Sequence, residues 1–127
     1  MKFNYFCIAG FLTMVACTTG PKDRLSSTEY FSRFNNLSEA LRVYPALMIS
    51  GTGNQTKVML RKNISIQNQE PLYVFDGFPI GNNYHSANQI LNMADVTAIR
   101  LLSQPSELNT YGTMASAGVI EIRTRNN

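Results

Sequence analysis

Pro71-Leu72-Tyr73-Val74-Phe75-Asp76-Gly77-Phe78-Pro79-Ile80 is the stretch of this chain from which its fold is most readily read. Leu72–Phe75 is a short apolar and aromatic run of the kind that fills a strand. Asp76-Gly77 then gives the backbone a place to reverse. Gly takes positive φ with no Cβ to clash, and Asp tolerates it better than most residues. Pro79 has no N–H to give to a ladder, so the second arm is an edge strand or an exit from the sheet. Taken alone, the stretch describes a hairpin in a small domain.

Working outward, apolar runs and breakers interleave irregularly. Ser27–Phe34 suits a short helical turn that Asn35-Asn36 stops. Asn36 or Ser38 can cap a helix over Leu37–Val43, with Leu37, Ala40, Leu41 and Tyr44 on one face and Pro45 ending it. Ala46–Ser50 and Lys57–Arg61 are predicted strands around a turn at Gly51–Asn54, with Val58 and Leu60 inward. Gly81–His85 reads as a polar loop, Ser86–Leu91 as a short helix and Val96–Leu102 as a strand. Pro105 suits the first turn of a short helix through Leu108. Gly118–Thr124 is the last strand, with Val119, Ile120 and Ile122 apolar and Glu121 and Arg123 outward. The expected class is α+β, a small mixed β-sheet with two or three short helices, in which distant strands meet to bury Val74, Ile99 and Ile120.

Two blocks also carry a family resemblance. Pro71–Ile80 resembles the Pro-Leu-Tyr-Val-(Ile/Val)-Asp-Gly-(Val/Phe)-Pro-(Ile/Leu) segment in plug domains of TonB-dependent outer-membrane receptors, especially the starch-utilisation type. Further on, Asp95–Leu102 stands where that family has Asp-Ile-x-x-Ile-x-Val-Leu. Tyr111-Gly112 and Ala117–Thr124 follow, resembling its Tyr-Gly-x-x-(Gly/Ala)-x-x-Gly-Val-Ile-x-Ile-Thr-Thr. Leu37-x-x-Ala40-Leu41-x-x-x-Pro45 is similar to the first plug helix, so the likeness spans Asn36 to Arg125. It implies a plug-like fold and structural roles for six residues. Asp76 and Gly77 match the hairpin turn, Arg61 the Arg of Ile-Arg-Gly, Tyr111 and Gly112 the Tyr-Gly before the final strand, and Gly118 the Gly that opens it. The sequence departs from the pattern at Lys62, where the family has Gly. It departs again at Leu102-Ser-Gln-Pro-Ser106, where the family has Leu-Lys-Asp-Ala-Ser.

The first residues read as a processing signal. Lys2 supplies a positive start and Phe6–Ala16 an apolar core, too short to span a bilayer as a helix, which needs about 20 apolar residues. Met14-Val15-Ala16-Cys17 resembles a bacterial lipobox. The expected organisation is a signal peptide over 1–16, a lipid-anchored flexible tether over 17–35 and the plug-like domain over 36–127. Cys7 would leave with the signal and Cys17 would carry the acyl chains, leaving no thiol for a disulfide. The chain would then be anchored in the outer membrane by lipid, on a face that Asp23 alone does not define.

Catalytic chemistry is sparse. His85 is the single histidine, and no Cys beyond the lipid site can join it in a metal set. Gly51-Thr52-Gly53 lacks the patterns that cradle phosphate. Eleven Lys and Arg against eight Asp and Glu give a net charge of +3, scattered and without a basic run, which is no nucleic-acid footprint. No catalytic residue, metal or cofactor is therefore expected.

The sequence ends at Asn127, just past the last plug-like strand, and membrane-barrel strands take about 9–11 residues each. The expectation is a lipoprotein without a pore, a binding or interaction module whose partners are an outer-membrane receptor or other envelope proteins. The alternatives are a ligand- or glycan-capturing lipoprotein using the loops Gly51–Gln55 and Gly81–His85, or a truncated receptor remnant. Cys17→Ser is expected to abolish fatty-acid labelling and to release the chain from membranes or stall its processing. Labelling that persists in the variant would contradict the lipobox assignment.

Overall fold

The computed structural model describes residues 26–63 and 69–125. The signal, tether and lipidation expectations for residues 1–25, Cys17 included, lie outside the described residues.

Four short helices and six strands alternate in the described chain: α1 (Ser27–Phe31), α2 (Leu37–Leu41), β1 (Leu47–Ser50), β2 (Lys57–Leu60), β3 (Leu72–Phe75), β4 (Phe78–Gly81), α3 (Tyr84–Ile90), β5 (Val96–Leu102), α4 (Pro105–Leu108) and β6 (Val119–Thr124). The class is α+β, as the sequence implies. The strands divide into a β1–β2 hairpin and a mixed four-stranded sheet ordered β4-β3-β6-β5. In that sheet β3 and β6 run parallel, while β4 and β5 pair antiparallel to their neighbours.

The helices are too short to hold by propensity and depend on their ends. Ser26 and Glu29 form a reciprocal capping box at α1, each side chain accepting the other's backbone N–H. At α2 three consecutive N–H groups find side-chain acceptors. Leu37 N–H donates to Asn88 Oδ1 at 3.0 Å, Ser38 N–H to the Tyr84 hydroxyl at 3.1 Å and Glu39 N–H to Asn36 Oδ1 at 3.0 Å. Two of those acceptors belong to α3, so capping α2 also fixes it against α3. The helix stops at Leu41, leaving Val43 52% exposed. Phe31 of α1 is buried in the core with Leu37 and Leu41. Among the described residues, α1 thus packs with the folded body through Phe31.

The sheet separates two apolar clusters, because successive side chains on a strand point to opposite faces. Tyr73, Phe75, Ile99, Ile120 and Ile122 join the larger cluster with α1, α2, α3 and the β1–β2 hairpin. Leu72, Val74, Leu102 and Val119 form the smaller one with Ala115, under Leu108 and Tyr111. Val74 is thus buried on the face opposite Ile99 and Ile120. Glu121 is a correction to the outward assignment. It is only 9% exposed, because β6 is flanked on both sides, and Arg100 and Arg123 reach it at 3.5 and 3.4 Å.

At the hairpin tip both turn residues have positive φ, +48° at Asp76 and +87° at Gly77, the geometry of a tight two-residue turn between twisted strands. Asp76 also ties that tip to β6. Its carboxylate accepts the Thr124 N–H at 2.8 Å and the Thr124 hydroxyl at 2.7 Å, while its own N–H donates to the Ile122 carbonyl at 2.9 Å. At the other end of β6, Gly118 has φ +102°, and a Cβ there would stand 2.7 Å from Cδ2 of buried Leu60. The β1–β2 hairpin therefore seats directly on the start of β6.

A double-mutant cycle on Asp76→Ala and Thr124→Val isolates the hydroxyl half of the clamp, since strain at the turn and the backbone N–H bond cancel in the cycle. The expected coupling is about 1.5–3 kcal/mol of stabilisation in denaturant melts, the range for a hydrogen bond to a charged group. Additive losses would show that the hydroxyl bond contributes nothing.

Candidate functional site

The six residues matched to the family do not converge on one site. Arg61 stands exposed at the start of a 3-10 turn after β2, its N–H donating to the Ala46 carbonyl at 2.9 Å. Asp76 and Gly77 form the β3–β4 tip. Tyr111 packs on the smaller cluster, and Gly112 interrupts the 3-10 segment Asn109–Ala115 with φ +63° and ψ −150°. Gly118 sits before β6. A hollow of about 390 Å³ lined by Asp76, Gly77, Thr97, Glu121, Arg123 and Thr124 surrounds the clamp, with its polar groups turned to one another.

A second region brings separate loops together. Between β1 and β2 the chain makes a 3-10 turn at Gly53–Gln55, closed by Thr56, whose hydroxyl donates to the Gly53 carbonyl at 2.9 Å. Opposite it lies the start of α3, where Asn83 caps the helix by accepting the Ser86 N–H at 3.1 Å. Tyr84 and His85 are therefore helical rather than part of a polar loop, and Tyr84 is buried. Between these walls stands Glu70. Its Oε2 accepts the Tyr84 N–H at 2.7 Å, and its backbone carbonyl accepts from Asn82 Nδ2 at 3.1 Å. The same Asn82 amide donates to the Met114 carbonyl at 2.9 Å. Ser116 donates to Gln69 Oε1 at 3.1 Å.

The result is a polar cleft in two adjoining hollows. One, of about 430 Å³, is lined by Asn54, Gln55, Thr56, Lys57, Glu70, Asn83 and His85. The other, of about 390 Å³, is lined by Lys57, Gln69, Glu70, Asn82, Thr113, Met114 and Ser116. Lys57 and Glu70 belong to both. Half-burial raises the Glu70 carboxyl above its ordinary value, partly offset by the Tyr84 N–H bond and by Lys57. Close by, the Tyr73 hydroxyl is fully buried with no hydrogen-bond partner among the described residues, and burial, with Glu70 and Tyr84 adding to it, pushes its ionisation far up. Among the described residues, no group of three His, Cys, Asp or Glu stands together to hold a metal ion. No described helix is long and apolar enough to cross a membrane. Sequence reasoning singled out the two loops and His85 but missed Lys57 and Glu70, which lie outside both. The Asn82-Asn83 pair ahead of a helical run was the local signal available for the cap.

A family model for the TonB-dependent Receptor Plug Domain matches residues 18–119. The chain belongs to this family. The structure carries the plug domain through β6 to Thr124, beyond the matched range. TonB-dependent receptor P26 of Formosa agariphila is 34% identical over 56 residues, which are 44% of this chain and 6% of that receptor. The plug domain is one part of a TonB-dependent receptor, and the aligned stretch is a small fraction of the receptor it matches.

The direction of the Glu70 shift fixes a pH dependence. A carboxyl held above its ordinary value of 4.5 binds more protons in the folded state than in the unfolded state. Its contribution is therefore fully present below the unfolded value and is lost as pH rises through the folded one. Glu70→Gln keeps an acceptor for Tyr84 without titrating. The stability of the native chain relative to this variant should fall in thermal melts as pH rises past the ordinary carboxyl value of 4.5, with a shallow slope because Glu70 is partly solvated. A difference that grows with pH would reverse the assignment.

Proposed function

We propose that this plug domain is a non-catalytic interaction module of an outer-membrane nutrient-uptake system, exported by a signal over residues 1–16 and held by acyl chains on Cys17. The family match over residues 18–119 carries the reading. Its partners are an outer-membrane receptor or other envelope proteins. The departures at Lys62 and at Leu102–Ser106 alter two segments that the family keeps, which favours contacts of its own over those of a receptor plug. Affinity purification of the lipidated chain from cross-linked outer membranes is expected to recover a receptor of an uptake system in near-equal amount. Quantitative recovery of the chain alone would overturn the reading.

A specific observation supports ligand capture as a second reading. The turn at Asn54–Thr56 and the start of α3 at Asn83–His85 face one cleft of about 430 Å³, where they present amides, a hydroxyl and an imidazole. Such a surface suits a small polar ligand held by several directional hydrogen bonds.

A further inference from the structure

We propose that the cleft centred on Lys57 and Glu70 binds small zwitterionic ligands of the short-peptide class, an inference that rests on the capture reading.

The first argument is charge. Lys57 and Glu70 line both hollows, yet the ion pairs among the described residues are Arg100–Glu121, Arg123–Glu121 and Arg125–Asp95. An ammonium and a carboxylate facing one cleft without pairing offer a carboxylate and an ammonium of a ligand one partner each. Both contacts would be charge-assisted hydrogen bonds, the strong kind. Glu70 is already oriented for this. Its Oε2 is held by the Tyr84 N–H at 2.7 Å, which leaves Oε1 to accept from a ligand.

The second argument is the amide array. A peptide group has one donor and one acceptor, and a side-chain amide can answer both. The internal bonds fix which half of each amide remains available. Asn83 uses its oxygen on Ser86 and keeps its NH₂, Gln69 uses its oxygen on Ser116 and keeps its NH₂, and Asn82 uses its NH₂ on two carbonyls and keeps its oxygen. The cleft thus presents donors and acceptors already fixed in place, which lowers the ordering cost of binding.

The third argument concerns the competing ligand. A neutral sugar needs no charge partners and commonly packs against the face of a Phe, Tyr or Trp ring, but among the described residues none of these three lines either hollow. The nearby rings of Tyr73 and Tyr84 are buried in the core behind Glu70.

The test uses the full chain in detergent micelles with three probes: triglycine, its N-acetylated and C-amidated analogue, and maltotriose. Side-chain amide resonances of Asn54, Gln55 and Asn83 report binding, and calorimetry gives the affinity. Triglycine is expected to shift these resonances saturably and to bind at least about tenfold more tightly than the uncharged analogue. Lys57→Met and Glu70→Gln should each weaken triglycine about fivefold while leaving the thermal transition intact, since Lys57 is exposed and Gln keeps the Tyr84 acceptor. Equal affinity for the charged and uncharged peptides, or indifference to both substitutions, would overturn the proposal. Saturable shifts with maltotriose and none with triglycine would overturn the peptide class and leave capture standing. No shift with any probe would overturn both.

Discussion

β6 is the strand on which the described fold depends. It lies between β3 and β5, and Val119, Ile120, Glu121 and Ile122 are all buried, so each of its side chains is committed to one face or the other. Ile120 and Ile122 close the larger cluster while Val119 closes the smaller. A slip of one residue would exchange these sets and turn Glu121 into the larger apolar core, a cost no neighbouring cation could offset there. Two features hold the register. Gly118 lets Leu60 approach the start of the strand, and the Asp76 carboxylate grips Thr124 at its end. The segments Pro71–Ile80 and Ala117–Thr124 thus form one structural unit.

Much of this was legible in the chain itself. Leu72–Phe75, Val96–Leu102 and Pro105–Leu108 stand with the bounds that local composition suggests, because apolar runs flanked by Asp-Gly or Pro leave little latitude. Glu121 was misjudged because alternation along one strand cannot tell whether neighbours flank it on both sides. Val74, Ile99 and Ile120 are all buried where their strands meet, as expected, but which face each one takes is set by the register between strands. The extent of α1 was also hidden. Its Ser26–Glu29 capping box is visible in sequence, but the burial of Phe31 depends on the sheet beneath it.

The polar cleft was only partly legible. The loops were recognisable as polar, while their juxtaposition depends on Glu70 reaching Tyr84 and Asn82 reaching both Glu70 and Met114, pairs separated by 12 to 32 residues. Here the scaffold positions the groups, and the groups leave part of their hydrogen-bonding capacity unused. That division is what a binding surface on loops requires, rigid anchoring on one side and open valence on the other.

The clamp between Asp76 and Thr124 joins residues 48 positions apart, and the parallel β3–β6 pairing spans a similar length of chain. A sheet whose middle strand is the last of the described strands cannot be assembled progressively. The local hairpins β1–β2 and β3–β4 form early, but neither apolar cluster closes until β6 arrives, and that closure carries the entropy of a long loop. Folding is then a late, cooperative event with a slow approach to the transition state. Until it happens the chain shows Leu72–Phe75 as an unpaired apolar edge. A protein built this way gains from being kept unfolded during transport and released whole, because every pause before β6 docks exposes the strand most prone to stick to another copy.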